Sequence, residues 1–354
     1  MRVLTVIGNR PQFIKAAAVS DRLRAAGNEV LVHTGQHYDD ELSRVFFDEL
    51  GLPRPEHHLD LGGGTNSAQT ARMLAALEPL VADSAPDAVL VYGDTNSTLA
   101  GALAGAQAHV PVAHVEAGMR SYDRAMPEEL NRVLTDHAAD LLLCSSERAA
   151  ENLRAEGARG AIDVVGDVMV DVALMLGPRA RERTDVLERY GVEPGGFCLI
   201  TVHRPGNVDD PARLERLVEL LEALPLPAVL PLHPRTGRRL AETGLRPRAE
   251  RAVLVTAPLG YLDFTALLQH ARALLTDSGG VQKEAYLAGV PCVTLRDTTE
   301  WTETVDAGWN VLVDLDREAA LAALERPRPA ERPPLYGDGR AGERVVAALT
   351  RMAA

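Results

Sequence analysis

Short apolar runs recur along the chain with amphipathic, helix-length stretches between most of them, and this alternation constrains the fold more than any single residue does. One series of runs lies near 2–7, 28–33, 87–92, 111–115, 140–144 and 162–165; a second follows near 197–202, 227–232, 252–255, 272–276, 291–295 and 310–313. Strands that alternate with helices predict parallel sheets covered by helices on both faces, the α/β class. A length of 354 residues suits two domains at about 150 residues each. The expectation is two Rossmann-like domains facing across a cleft: residues 1–168, then 169–335, with the junction between 166 and 190. Arg326-Pro327-Arg328-Pro329 and Pro333-Pro334 form a connector that cannot be helical inside. A last helix candidate, within 336–354, is expected to pack back on the first domain.

Ligands of open parallel sheets bind beyond the carboxyl ends of the strands, so residues there are the ones to weigh. A formal net charge of −13 repels nucleic acid and anionic membrane, and any anionic ligand must meet a local cationic pocket. The N-terminus enters a strand directly, and no apolar run is long enough to span a bilayer, so a cytoplasmic location is expected. Cys144, Cys198 and Cys292 lie in strand-like runs without CxxC spacing or histidines nearby, which predicts buried, reduced thiols and no metal. Only two lysines occur, Lys15 and Lys283, in a chain that otherwise uses arginine.

At the first strand end stands "GNRPQFIK", residues 8–15, a strand–glycine turn–helix junction of the kind that holds phosphate, with Arg10 and Lys15 beside it. It is neither GxGxxG nor a P-loop. Gly93-Asp94-Thr95-Asn96-Ser97 ends another strand; Asp94 could cap the helix that follows, as could Thr95 or Ser97. His114-Val115-Glu116 and Pro127-Glu128-Glu129 bring further acids to the same edge. In the second half His203-Arg204 and His233-Pro234-Arg235 form a cationic rim. Asp277-Ser278-Gly279-Gly280, leading into a helix, reads as a diphosphate seat, with Glu284 one turn on to accept from a ribose hydroxyl pair. Carboxylates on one domain, and cations with a glycine-led helix on the other, suit a nucleoside-diphosphate sugar: nucleotide on the second domain, sugar presented to the first.

The segments "GNRPQFIK", "YGDTNST", "HVEAGMRS", "MPEELNR", "TVHRPGN", "LPLHPRT", "YLDF", "TDSGGVQKEA" and "RDTTEWTE", in this order over residues 8 to about 303, resemble the non-hydrolysing UDP-N-acetylglucosamine 2-epimerases. That resemblance implies the two-domain glycosyltransferase-B architecture, a homodimer and a UDP-amino sugar substrate, with no cofactor. It implies that Asp94, Glu116 and Glu128 surround the sugar and that His203 approaches from the other domain. Arg10, Ser278, Gly279, Gly280 and Glu284 would bind UDP, and Phe264 would line the nucleotide pocket. His233 joins this binding set through the cationic rim, and Lys15 and Arg132 stand where the family needs cations, against the carboxylates or the diphosphate.

The family often has GTRPE where this chain has Gly8-Asn9-Arg10-Pro11-Gln12, and HRxEN where it has His203-Arg204-Pro205-Gly206-Asn207. "RDTTEWTETVDAGWN" also resembles a branch acting on other UDP-amino sugars, including diacetamido-glucuronates. Where some members carry "QHR" for a second, regulatory UDP-N-acetylglucosamine, this chain has Gln36-His37-Tyr38-Asp39. Loss of the arginine and gain of an acid predict hyperbolic saturation and no need for an activator, unless Arg72 restores the charge. A glycosyltransferase of the same fold, a hydrolysing epimerase and a non-catalytic UDP-sugar sensor are the rival expectations; the carboxylate cluster argues against the sensor.

Overall fold

A computed structural model describes residues 1–36 and 47–353. The chain divides into two compact units, Met1–Leu174 with Pro334–Ala354, and Met175–Pro333. Helix Val168–Arg181 carries the chain from one to the other.

The first unit holds a seven-stranded sheet of β1 (Arg2–Ile7), β2 (Asn28–His33), β3 (His57–His58), β4 (Ala88–Tyr92), β5 (Val112–Ala117), β6 (Leu141–Cys144) and β7 (Ala161–Val164). Its order is β3-β2-β1-β4-β5-β6-β7, with every pairing parallel. Strands β1 and β4 consist almost wholly of buried apolar residues, because helices cover both faces. Leu4, Val6, Val89 and Val91 form one core with Met73, Leu77 and Val81 of helix Asn66–Ser84. The two-residue β3 has no apolar run and is absent from the sequence pattern. The terminal helix Ala341–Met352 belongs to this unit, where the Asp171 carboxylate accepts from the N–H groups of Ala341 and Gly342 at 3.0 and 2.9 Å.

The second unit holds six parallel strands, β8 (Cys198–Thr201), β9 (Ala228–Pro231), β10 (Leu254–Thr256), β11 (Ala273–Thr276), β12 (Cys292–Thr294) and β13 (Asn310–Leu312), in the order β10-β9-β8-β11-β12-β13. Here the period of two is explicit: Ile200, Leu230, Leu275 and Val293 enter one core, and their neighbours Leu199, Val229, Leu274 and Cys292 enter the other. All three cysteines are free and buried. Burial pushes the thiols of Cys144 and Cys292 up to about 12 and that of Cys198 to about 11, so they stay protonated and inert. No described helix is long and apolar enough to cross a membrane.

In each sheet the strand order reverses once, between β1 and β4 in the first and between β8 and β11 in the second. A crevice opens at such a reversal because the connections on its two sides leave in opposite directions.

Candidate active site

At the first reversal, Asn9 caps helix Arg10–Ala17, and Pro11 sits in its first turn, where a missing N–H costs nothing. Gln12, 1% exposed, is a tether. Its Oε1 accepts from Gly8 N at 2.7 Å, and its Nε2 donates to Tyr92 O at 3.0 Å and Thr98 Oγ1 at 2.9 Å. A glutamate here could accept from Gly8 but, when ionised, could not donate to the Tyr92 carbonyl, so the amide gives the departure from GTRPE a structural role.

Lys15, at the far end of that helix, pairs with Glu116, and both side chains are nearly buried. Glu116 occupies a bulge: the β5–β6 register shifts between Val115 and Ala117, and Glu116 takes φ +70°. Gly93 lies between β4 and Asp94 at φ +65°, and a Cβ there would stand 2.9 Å from Lys15 Nζ and 3.6 Å from Glu116 Oε2. The flexible lysine end could yield, but at this φ any L side chain would be strained.

Thr95 caps helix Asn96–Gln107, in a reciprocal arrangement with Thr98. Asp94 is thereby left to another partner, Arg132, whose Nη2 meets Asp94 Oδ2 at 2.5 Å and whose Nη1 meets Glu129 Oε2 at 3.1 Å. Asn131 donates to the Asp94 carbonyl at 3.1 Å. Glu128 is exposed, while its neighbour Glu129 is buried and accepts from Ser121 N, Ser121 Oγ and Tyr122 N, each at 2.9 Å. The two acids of "PEE" thus have different tasks, which the sequence did not separate.

Beneath Gly93 lies a buried set that sequence reasoning missed altogether. His114 Nε2 is 2.7 Å from Gly93 O, and its Nδ1 is 2.7 Å from Asp136 Oδ1. Arg120 donates to Asp136 at 2.7 Å and to Glu156 at 2.8 and 2.6 Å. Burial alone would raise the Asp136 carboxyl, but the His114 hydrogen bond and charge, with those of Arg120, hold it below its ordinary range. The "HVEAG" histidine holds the turn in place rather than meeting solvent.

At the second reversal, Asp277 is the pin. Fully buried, it accepts from His203 N at 3.0 Å, Arg204 N at 2.9 Å and Asn207 Nδ2 at 3.2 Å, fixing the "HRPGN" turn from the end of β11. His203 and His233 lie with ring centroids 5.2 Å apart. His233 also caps helix Pro234–Glu242, its Nδ1 accepting from Arg235 N at 3.2 Å. Ser278 is the N-cap of helix Gly279–Ala288 but makes no side-chain capping bond, so the first turn is not closed by its hydroxyl. Glu284 follows, partly exposed, one turn along. Arg296 pairs with Glu300 at 3.0 Å, and Arg204 stands 3.6 Å from the same carboxylate. Burial would raise Glu300, but the Arg296 hydrogen bond and charge, with Arg204, outweigh it and hold the carboxyl at about 2. Phe264 is 2% exposed within the core of Phe197, Leu199 and Leu267, so it underlies the surface of this unit.

The structure therefore brings together Lys15 with Glu116, Arg132 with Asp94, and His203 with His233. Arg10 opens the helix whose last turn carries Lys15, while Ser278 caps the helix that holds Gly279, Gly280 and Glu284. His37, Tyr38 and Asp39 lie outside the described residues. Arg72 donates to the carbonyls of Gly62 at 3.2 Å and Gly63 at 2.5 Å.

Residues 21–350 match the family model for UDP-N-acetylglucosamine 2-epimerase. The chain is 46% identical to the UDP-2,3-diacetamido-2,3-dideoxy-D-glucuronate 2-epimerase of Pseudomonas aeruginosa, over 99% of this chain and 100% of that one. It is 40% identical to the UDP-N-acetylglucosamine 2-epimerase of Methanocaldococcus jannaschii, over 99% of each. A crystal structure of the M. jannaschii enzyme in complex with UDP-GlcNAc and UDP superposes with a TM-score of 0.92 at 40% identity, covering 99% of this chain and 100% of that one. With paired carboxylates at one sheet reversal, a glycine-led helix at the other, and full-length likeness to these proteins, the chain belongs to the UDP-N-acetylglucosamine 2-epimerase family.

Proposed function

We propose that the protein inverts C2 of a UDP-amino sugar, interconverting UDP-N-acetylglucosamine and UDP-N-acetylmannosamine by elimination and re-addition of UDP. The observation that supports this best is the pair of cation-held carboxylates, Lys15–Glu116 and Arg132–Asp94, at one sheet reversal. The C2 proton of the ground-state sugar is not acidic. Cleavage of the anomeric C1–O bond sends its electron pair to the UDP oxygen and gives C1 oxocarbenium character, which makes the proton removable. A carboxylate takes that proton, leaving the 2-acetamidoglycal. A proton delivered to the opposite face of C2, with return of the UDP oxygen to C1, gives the epimer.

Asp94, Glu116 and Glu128 form the acid/base set in this reading, and His203 assists the departing phosphate. The second unit holds UDP through Ser278, Gly279, Gly280 and Glu284, with His233 in the cationic rim and Phe264 beneath the nucleotide; Arg10 meets the diphosphate. Exclusion of water from C1 keeps the intermediate from hydrolysis in this reading. No nicotinamide is needed, because no neighbouring ketone is formed.

Incubation with UDP-N-acetylglucosamine in D₂O, followed by NMR, tests the reading: the manno epimer should carry deuterium at C2. An epimer without C2 label would refute elimination. A second reading, epimerisation of UDP-2,3-diacetamido-glucuronate, is favoured by the 46% identity to the P. aeruginosa enzyme. The same tube with that substrate decides between them by relative kcat/KM.

We further propose a homodimer. Helix Pro127–Ala138 buries Glu129, Asn131, Arg132, Thr135 and Asp136 yet leaves Leu130 and Leu134 47% and 44% exposed, an inverted amphipathic face that a second copy would cover. Sedimentation of Leu130→Glu/Leu134→Glu should give monomers; an unchanged dimer would place the interface elsewhere.

A further inference from the structure

Strand β5 brings a histidine to the Gly93 turn as well as Glu116. Both peptide groups of Gly93 are held by this one strand: its N–H donates to Val115 O at 3.0 Å, and its carbonyl lies 2.7 Å from His114 Nε2. That carbonyl belongs to the peptide leading into Asp94, so His114 grips the backbone immediately before a carboxylate of the proposed acid/base set. On the far side of Asp94, Asn131 donates to its carbonyl at 3.1 Å. His114 is fully buried, in register between Val91 of β4 and Leu142 of β6.

The partners of the ring define its protons. A carbonyl oxygen can only accept, so Nε2 donates to Gly93 O. Nδ1 faces Asp136 Oδ1 at 2.7 Å. Asp136 also accepts, on Oδ2, from Arg120 at 2.7 Å and from Gly118 N at 3.2 Å. Held below its ordinary range, this carboxyl is ionised and can only accept, so Nδ1 donates as well. A ring turned over would present a carbon to each acceptor. The charge of such a ring is answered by Asp136, that of Asp136 by Arg120, and that of Arg120 by Glu156, whose side chain is 31% exposed. Signs alternate from the turn to the surface, so each buried charge has a counter-charge.

We propose that His114 is a positioning residue for C2 epimerisation: a doubly protonated ring that clamps the Gly93 carbonyl and so sets the direction in which Asp94 leaves the turn. A ring with one proton satisfies one acceptor and leaves the other without its donor. The clamp also governs the second carboxylate. A Cβ on Gly93 would stand 2.9 Å from Lys15 Nζ and 3.6 Å from Glu116 Oε2, so a small shift of this peptide moves the turn against the Lys15–Glu116 pair as well as moving Asp94. His114 touches no substrate; it acts through the backbone of Gly93. The inference rests on the reading of Asp94 and Glu116 as acid/base groups.

Proton counting tests the state of the ring and kinetics test its use, both on full-length protein. With ¹⁵N-labelled histidine, NMR at neutral pH should show one ring bearing two N–H protons protected from solvent exchange. Among the described residues His33 is the other buried histidine, and its Nδ1 accepts from Gly35 N at 2.8 Å, so it cannot give that signal. His114→Leu removes both donors and should lower kcat by about 10²-fold, while KM and UDP affinity stay within about threefold. His114→Gln returns a neutral donor for Gly93 O and should recover about tenfold of that loss. A role confined to stability would lower the unfolding temperature and leave kcat per folded molecule unchanged. That result, or a buried ring with a single proton, would overturn the inference with the epimerase reading intact. Should both variants fail to fold, the proton count on the wild type decides. Wild-type protein that binds UDP yet epimerises no UDP-amino sugar would overturn the reading of Asp94 and Glu116, and this inference with it.

Discussion

In the first unit the turns at the sheet reversal carry Glu116, paired with Lys15, and Asp94, paired with Arg132. In the second, the turns at the corresponding reversal carry His203, Arg204 and the Ser278-Gly279-Gly280 helix start, and the buried Asp277 at the end of β11 accepts from backbone N–H groups and from Asn207. The winding is shared, with β1 and β4 on one side matched by β8 and β11 on the other. What differs is the sign of the groups delivered to the crevice. A parallel sheet thus decides where side chains converge, and a few residues per turn decide which charges stand there.

The comparison breaks most decisively if the two tasks are not separable. Asp94→Asn, Glu116→Gln and Glu128→Gln should each lower turnover by about 10²- to 10⁴-fold while UDP affinity moves less than about threefold. Glu284→Ala should weaken UDP binding first. Steady-state kinetics and calorimetry measure both. Near-wild-type rates in all three carboxylate variants would remove the first unit from the chemistry.

A second test concerns what supports each turn. Asp136 is buried between His114 and Arg120, so Asp136→Asn leaves charge without its partner and should cost about 3–5 kcal/mol in chemical denaturation. In the second unit the corresponding support can be read through pH. The folded Glu300 carboxyl, at about 2, lies below its ordinary 4.5, so its contribution is complete above pH 4.5 and is lost as pH falls towards 2. That contribution is roughly 3 kcal/mol. The stability gap between wild type and Glu300→Gln should therefore narrow steadily from pH 5 to pH 3. A gap independent of pH would mean that Glu300 acts by packing alone. The smallest expected effect is Thr95→Ala, which removes the cap of helix Asn96–Gln107 and should cost about 1 kcal/mol in thermal unfolding with Asp94 still paired to Arg132.

The strands were legible because a parallel sheet buried on both faces writes itself as short apolar runs; the ranges 2–7 and 28–33 coincide with β1 and β2. His57–His58 escaped because two residues carry no period. Strand-end carboxylates were visible as types, but not by task. Glu128 and Glu129 are adjacent acids of one helix start, and only burial tells the exposed one from the acceptor of three donors. The anchoring role of Asp136, and that of Asp277, which the sequence placed in the diphosphate seat, escaped because their partners lie 22 and 74 residues away, beyond any local pattern. Gln12 shows the converse. Its difference from the usual family residue was plain in the sequence, and its role became plain only with Tyr92 and Thr98 beside it.

The bulge at Glu116 has an evolutionary consequence. At φ +70° a glutamate is held in a conformation that costs a non-glycine residue roughly 1–2 kcal/mol, and glycine would relieve it. Lys15, nearly buried against that carboxylate, would then lose its counter-charge. Drift towards a sturdier protein at position 116 is therefore open only to lineages that also replace Lys15 by an apolar residue. The first change alone strands a buried lysine. The pair is a ratchet: relief of the strained backbone without a stranded charge requires a double change, so the strained residue is entrapped with its cation.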